Sequence, residues 1–218
     1  SGTFTLTAGL TYDYDVTLHG LPSATLDGDG SYGILLDTSF GNTLTVENLR
    51  LTNGSAFDGG AINGYVVVST NSTFDNNDAV YGGAIYAYAV SATDSVFEDN
   101  TAIIGGAIVS PFTSVGDSTF TNNTTDGLGG AIAFDVIGVN SLIDLVTFSN
   151  NSAGSVDNPL NYGGSIYLGT IVTGAQLVIS RTAIIGSTLT EGFVETYGAG
   201  LFVNDIDGSL TIDSSTFT

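Results

Sequence analysis

Twenty-two carboxylates in a chain of 218 residues are the first candidates for chemistry. Hydrolysis of a glycosidic bond needs only two of them, roughly 5 to 9 Å apart, one as general acid and one as base or nucleophile. Asp75, Asp78, Asp94, Glu98 and Asp99 are close enough in sequence to supply such a pair if neighbouring segments stack. Asp75 and Glu98, however, follow a phenylalanine directly and precede turn residues, which predicts a solvated corner, and no catalytic pair is named. Elimination on a uronate polymer needs a cationic base and positive charge against the substrate carboxylates. The chain offers Arg50 and Arg181 and no lysine, and Arg50 is expected to pair with a nearby acid such as Glu47. The run LDGDGS from Leu26 invites a calcium loop, but Tyr32 stands where an EF-hand requires glycine, so a Gly-Asp turn is the expectation. His19 is alone in VTLHG and reads as structural. With no cysteine, disulfides, zinc-thiolate sites and a thiol nucleophile are excluded together. No cofactor or metal site is expected.

What must position any of these groups is a repeat. GGAI occurs at Gly59, Gly82, Gly105 and Gly129, and as GGSI at Gly163. FDNN, FEDN, FTNN and FSNN begin at Phe74, Phe97, Phe120 and Phe148, and each Gly pair of the regular part follows its Phe by eight or nine residues. Weaker copies place Phe4, Leu26 and Leu51 before this series and Ile184 and Phe217 after it, so nine Phe-like positions imply about eight turns. A fixed period in this range marks a solenoid. The segments are short, β-branched and aromatic, and helix formers are scarce, so the period is predicted to be one coil of a parallel β-helix, about 40 Å long for eight coils at the strand spacing. One coil cannot bury its own apolar face; each covers the next. Phe74, Phe97, Phe120 and Phe148 are predicted to stack inward, Asn77, Asn100, Asn123 and Asn151 to occupy the following turn in left-handed geometry while bonding to adjacent coils, and the Gly pairs to turn a corner with positive φ.

The alternating GGA[IL] and FxxN motifs resemble the chlamydial polymorphic outer-membrane protein repeat, well over residues 51–151 and weakly to 26 and 217. The resemblance implies a right-handed parallel β-helix acting as an adhesin or surface passenger. The chain departs from that family in lacking cysteines and a membrane barrel. The expected architecture is thus all-β, a single β-helix domain over residues 1–218, with regular repeats at 51–151 and degenerate coils at 1–50 and 152–218.

The net charge of −20 repels nucleic acid and anionic membranes, and no apolar run is long enough to span a bilayer, so neither nucleic acid nor membrane insertion is expected. Counting alternate faces from the Ile of each Gly-Gly motif puts Tyr65, Tyr86, Tyr88, Tyr167 and Phe202 outside. They are the candidate ligand-binding residues, for carbohydrate or for a protein on a host or neighbouring cell, with cross-coil packing as the structural alternative. Two insertions, around 151–162 and 187–198, lengthen late coils and are candidate recognition loops. Asn53, Asn71, Asn122, Asn123 and Asn150 begin glycosylation triplets. The open motif at Phe217 raises end-to-end self-association into a filament, or continuation into a longer surface chain. The overall expectation is an extracellular, cell-surface structural or adhesive protein, with a polysaccharide-active enzyme or a sugar-binding module as alternatives.

Overall fold

The computed structural model describes residues 2–154, 160–189 and 195–218. Every regular element among them is a strand, and the strands pair in parallel, coil upon coil. The nine Phe-like positions form one axial column: Phe4 lies opposite Leu26, Leu26 opposite Leu51, and Leu51 opposite Phe74. The column continues through Phe97, Phe120, Phe148 and Ile184 to Phe217. The chain is a parallel β-helix, as the period requires.

Inside the column the rings of Phe74 and Phe97 stack at 4.8 Å and 4°, and those of Phe97 and Phe120 at 4.6 Å and 5°. These separations equal the spacing of paired strands, so the coil rise itself sets the ring contact. All four Phe side chains are fully buried. Each contributes about 1.5–3 kcal/mol by burial, with about 0.5–1.5 kcal/mol more per ring pair.

Beside the rings runs a buried amide ladder. Asn100 Oδ1 accepts from both the backbone N–H (3.1 Å) and the Nδ2 (3.0 Å) of Asn77, while Asn100 Nδ2 donates to the Phe74 carbonyl at 3.0 Å. Asn123 does the same for Asn100 and Phe97, and Asn151 for Asn123 and Phe120. The residues are fully enclosed, so every amide must find partners, and only Asn at this position offers an acceptor to one coil and donors to two carbonyl groups. One expectation is corrected here. The left-handed residue is not the ladder Asn but the one before it: Asn76 (φ 52°), Asp99 (54°), Asn122 (55°) and Asn150 (54°). The corner residue bends the backbone so that the next side chain can turn inward.

The Gly pair divides two tasks. Gly82 carries the positive φ, at 63°. Gly83 does not; a Cβ there would lie 2.2 Å from the Gly106 carbonyl oxygen of the next coil, so its role is close backbone approach. The long strand that follows, Ile85–Thr93, buries Ile85 and Ala87, then Val90 and Ala92. Two consecutive residues, Tyr88 and Ala89, face away between these pairs, so the strand bends there. This bend recurs on each coil and shapes the outer surface.

A third ladder was not anticipated. Ser72, Ser95 and Ser118 stand two places before the Phe and are buried. Each hydroxyl donates to a carbonyl two residues earlier and accepts the N–H of an adjacent coil, as in Ser95 N–H to Ser118 Oγ at 3.0 Å. The preceding residue, Asn71, Asp94 or Asp117, is again left-handed.

Candidate functional site

The acids are placed differently from the sequence reading. Asp75 is 1% exposed, not on a solvated corner. Arg50, on the coil below, reaches it with both Nε (2.7 Å) and a terminal nitrogen, and Thr52 and Asn76 also donate to it. Arg50 therefore pairs with Asp75, not with Glu47, because parallel stacking brings residues 25 apart side by side. Glu47 instead meets His19, its register partner, at 3.0 Å. Arg181 forms the corresponding fork on Asp144. With its lone pairs taken and no access to solvent, Asp75 cannot meet a substrate beside Glu98. Asp27 Oδ1 accepts from the Asp29 N–H and from Asn53, closing the LDGDG turn. Burial, and secondarily the charge of Asp126, raises the carboxyl pKa of Asp78; burial raises that of Asp58.

The five aromatic candidates fall into two groups. Tyr65 and Tyr88 stack at 4.8 Å and 6°, and Tyr88 meets the Phe112 ring edge-on at 4.6 Å. Tyr86, three residues after the Gly pair, lies 6.2 Å from Tyr81. Tyr167 and Phe202 form the upper group, at 5.7 Å, joined by Tyr162 at 4.6 Å from Phe202. In both groups a tyrosine just before a Gly pair packs with an aromatic just after it, covering a corner that has no side chain of its own. Cross-coil packing thus consumes part of each ring. Tyr86 and Tyr88 nevertheless remain 38% and 47% exposed.

A cleft of about 410 Å³ lies on the lower group, at the strand bend. Tyr65, Tyr86 and Tyr88 line it together with Asn63, Val109, Pro111, Asp135 and Phe40. Above Tyr86, the outward position of the next coil is Val109, a smaller side chain that lines the same hollow. Along the bend, continuing the strand register places Tyr65, Tyr88, Pro111 and Asp135 in one column. Asp135 closes the upper end next to Tyr167, whose phenol pKa is raised by burial and by this carboxylate. Phe40 was missed by sequence reasoning. It is 86% exposed with φ at 53°, a geometry unfavourable for a bulky side chain. Its loop is pinned by Asp37, whose Oδ1 accepts from the Ser39 N–H and from Asn42 Nδ2. A wider cleft of about 550 Å³ beside residues 20–23 contains His19 and Arg50, both already committed to acids.

Of the glycosylation triplets, Asn123 is fully buried in the ladder, whereas Asn71, Asn122 and Asn150 are exposed left-handed corners. The triplets arise where a corner Asn precedes a ladder residue and the Thr or Ser of the next strand. The insertions around 151–162 and 187–198 fall partly outside the described residues, at 155–159 and 190–194. No group of three or more His, Asp and Glu side chains able to hold a metal ion occurs among the described residues.

Residues 71–88, 117–135 and 145–169 match the Chlamydia polymorphic membrane protein repeat. Each match runs from the corner before the Phe (Asn71, Asp117, Leu145) to the bend position (Tyr88, Asp135, Gly169), so the matched unit is one coil. Three of the central coils carry this repeat, and residues 89–116 between them are not matched. Within this chain, the Phe, Asn and Gly positions are those that the ladders and corners require, while the bend positions differ from coil to coil (Tyr65, Tyr88, Pro111, Asp135). No curated protein and no solved structure matches the chain.

Proposed function

We propose that the chain is a structural and adhesive element of a cell surface: a stiff β-helical rod that holds a contact site on its flank. The observation that carries this reading is the coincidence of polymorphic membrane protein repeats with a lateral aromatic cleft, built from outward positions that the ladders do not use. The acids support the binding role over hydrolysis. Asp75 is sealed by Arg50, and Asp78 and Asp126, which repel one another, line neither cleft described above. A coaxial rod also accepts a further coil at either end, from the same polypeptide or from another copy, which is the structural basis for a longer surface chain or a filament.

The test is adhesion of purified, fluorescently labelled chain to cells, with Tyr86→Ala/Tyr88→Ala as the paired variant. The reading predicts saturable binding that the double variant reduces at least tenfold without loss of fold. Binding to no surface would defeat it. Sedimentation over a range of concentrations reports on end-to-end assembly.

A further inference from the structure

We propose that the cleft between Tyr86 and Asp135 binds a glycan carrying free amino groups, a glucosamine-type polysaccharide rather than a neutral or acidic one. This rests on the adhesive reading above and names the ligand class of the same cleft.

The charge balance points first. The chain carries 22 acidic residues and two arginines, and both arginines are held in forks on Asp75 and Asp144. A glycan of uronate, sulfate or sialate units meets no free cation and a strongly repulsive field. The charged group inside the cleft is Asp135, whose carboxylate is exposed and makes no hydrogen bond to another described residue. It stands two coils above Tyr88, about 10 Å away at the strand spacing. An ammonium group placed there gains an ion pair, while the tyrosine rings of the coils below remain free to pack against the sugar rings.

The cleft walls suit sugar rings. Tyr86 offers a partly open ring above which Val109 lines the hollow, and Phe40 is presented on a pinned loop in strained geometry. Such strain persists where surrounding contacts over-determine it and where it serves a site. Successive sugars of an extended chain advance by a length close to the coil rise, so a ligand lying along the axis keeps its units in step with Tyr88, Pro111 and Asp135. A basic peptide fits less well. The backbone beneath the cleft is paired on both sides, through Asn63, Tyr86 and Val109, and offers no edge for strand addition.

Calorimetry decides this with four probes at near-physiological salt and slightly acidic pH: hexaglucosamine, its fully N-acetylated form, an oligogalacturonate and an oligolysine. Hexaglucosamine is expected to bind, the N-acetylated form at least tenfold more weakly, and the galacturonate not at all. Asp135→Asn and Tyr86→Ala should each weaken hexaglucosamine at least tenfold, and Tyr86→Phe should retain it, with thermal unfolding confirming that each variant folds. Asp135→Asn removes one of 22 acids and barely alters the overall field, so unchanged affinity would show diffuse attraction and overturn the proposal. Equal binding of the N-acetylated form, or of oligolysine with the same dependence on Asp135, would also overturn it. If hexaglucosamine fails while the chain still adheres to cells, the ligand class falls and the adhesive reading stands; absence of adhesion removes the reading itself.

Discussion

The coils between Leu51 and Asn151 and those above them share one axial column but are held by different means. In the lower region, coils of 23 residues stack Phe on Phe within 5° and pass a continuous Asn ladder from coil to coil. Between Phe120 and Phe148 the coil lengthens to 28 residues, and the ring angle opens to 18°. Above Asn151 the ladder position is Ser187, reached only through Ser165, whose hydroxyl lies 2.6 Å from that of Ser187, and the column continues as Ile184 and Phe217. Strand register survives the insertions because parallel pairing of the Ile and Phe strands is independent of loop length. Side-chain ladders do not survive as well, since they need identical residues at identical heights. Architecture is therefore set by the strands, and rigidity by the repeated side chains.

This contrast can be broken most severely at the amide ladder. Asn100→Ala strands the buried backbone N–H of Asn77 and one of the two Nδ2 hydrogens of Asn77 (the other keeps the Leu51 carbonyl), and removes the Nδ2 partner of the Phe74 carbonyl. It should cost about 4 kcal/mol in denaturant unfolding, at about 1–3 kcal/mol per orphaned group with partial relaxation. Ser187→Ala, at the corresponding upper position, should cost about 1 kcal/mol. Phe97→Ala should cost about 3–5 kcal/mol, whereas Phe217→Ala, with its ring 41% exposed, should cost about 1 kcal/mol. The two arginine forks sharpen the comparison. Arg50→Ala abandons a carboxylate that is 1% exposed and should cost about 3 kcal/mol, while Arg181→Ala frees a carboxylate that water reaches and should leave the unfolding midpoint almost unchanged.

The smallest expected effect concerns pH. The folded chain holds the Asp78 carboxyl above its ordinary pKa, so the proton favours the fold, and the ionised form is a penalty in place above the folded pKa. Asp78→Asn should raise the melting temperature slightly at neutral pH, and the gain should vanish as pH falls below that pKa. Asp144 behaves in the opposite sense: hydrogen bonds from Arg181 and Ser180 lower its pKa, so its contribution is present above the ordinary aspartate range and is lost in strong acid.

The sequence made the column legible because closure of a coil restricts chemistry: an inward ring, an amide satisfied across coils and a backbone without Cβ each admit few residues, and repetition displays the restriction. The serine ladder was legible in NSTF, DSVF and DSTF but was overlooked, since serine is common in any turn-rich chain. The Arg50–Asp75 fork was not legible, because proximity in sequence favoured Glu47 while stacking brings a residue 25 places away into contact. The aromatic candidates were correctly placed outside at Tyr86 and Tyr88, but their division into two groups depends on the coils between them. Phe40 stood in a loop outside the repeat, where no period announces a role.

The central claim is that buried side-chain ladders, passed from coil to coil, hold the regular region together. Native-state hydrogen exchange at the backbone amides of Asn77, Asn100 and Asn123 tests it most directly, because each donates to the Asn side chain of the next coil. The account predicts that all three exchange only through global unfolding, with the Thr182 amide, bonded to Ser215 in the upper coils, opening at lower free energy. Exchange of the three ladder amides at the rate of exposed turn residues would contradict it.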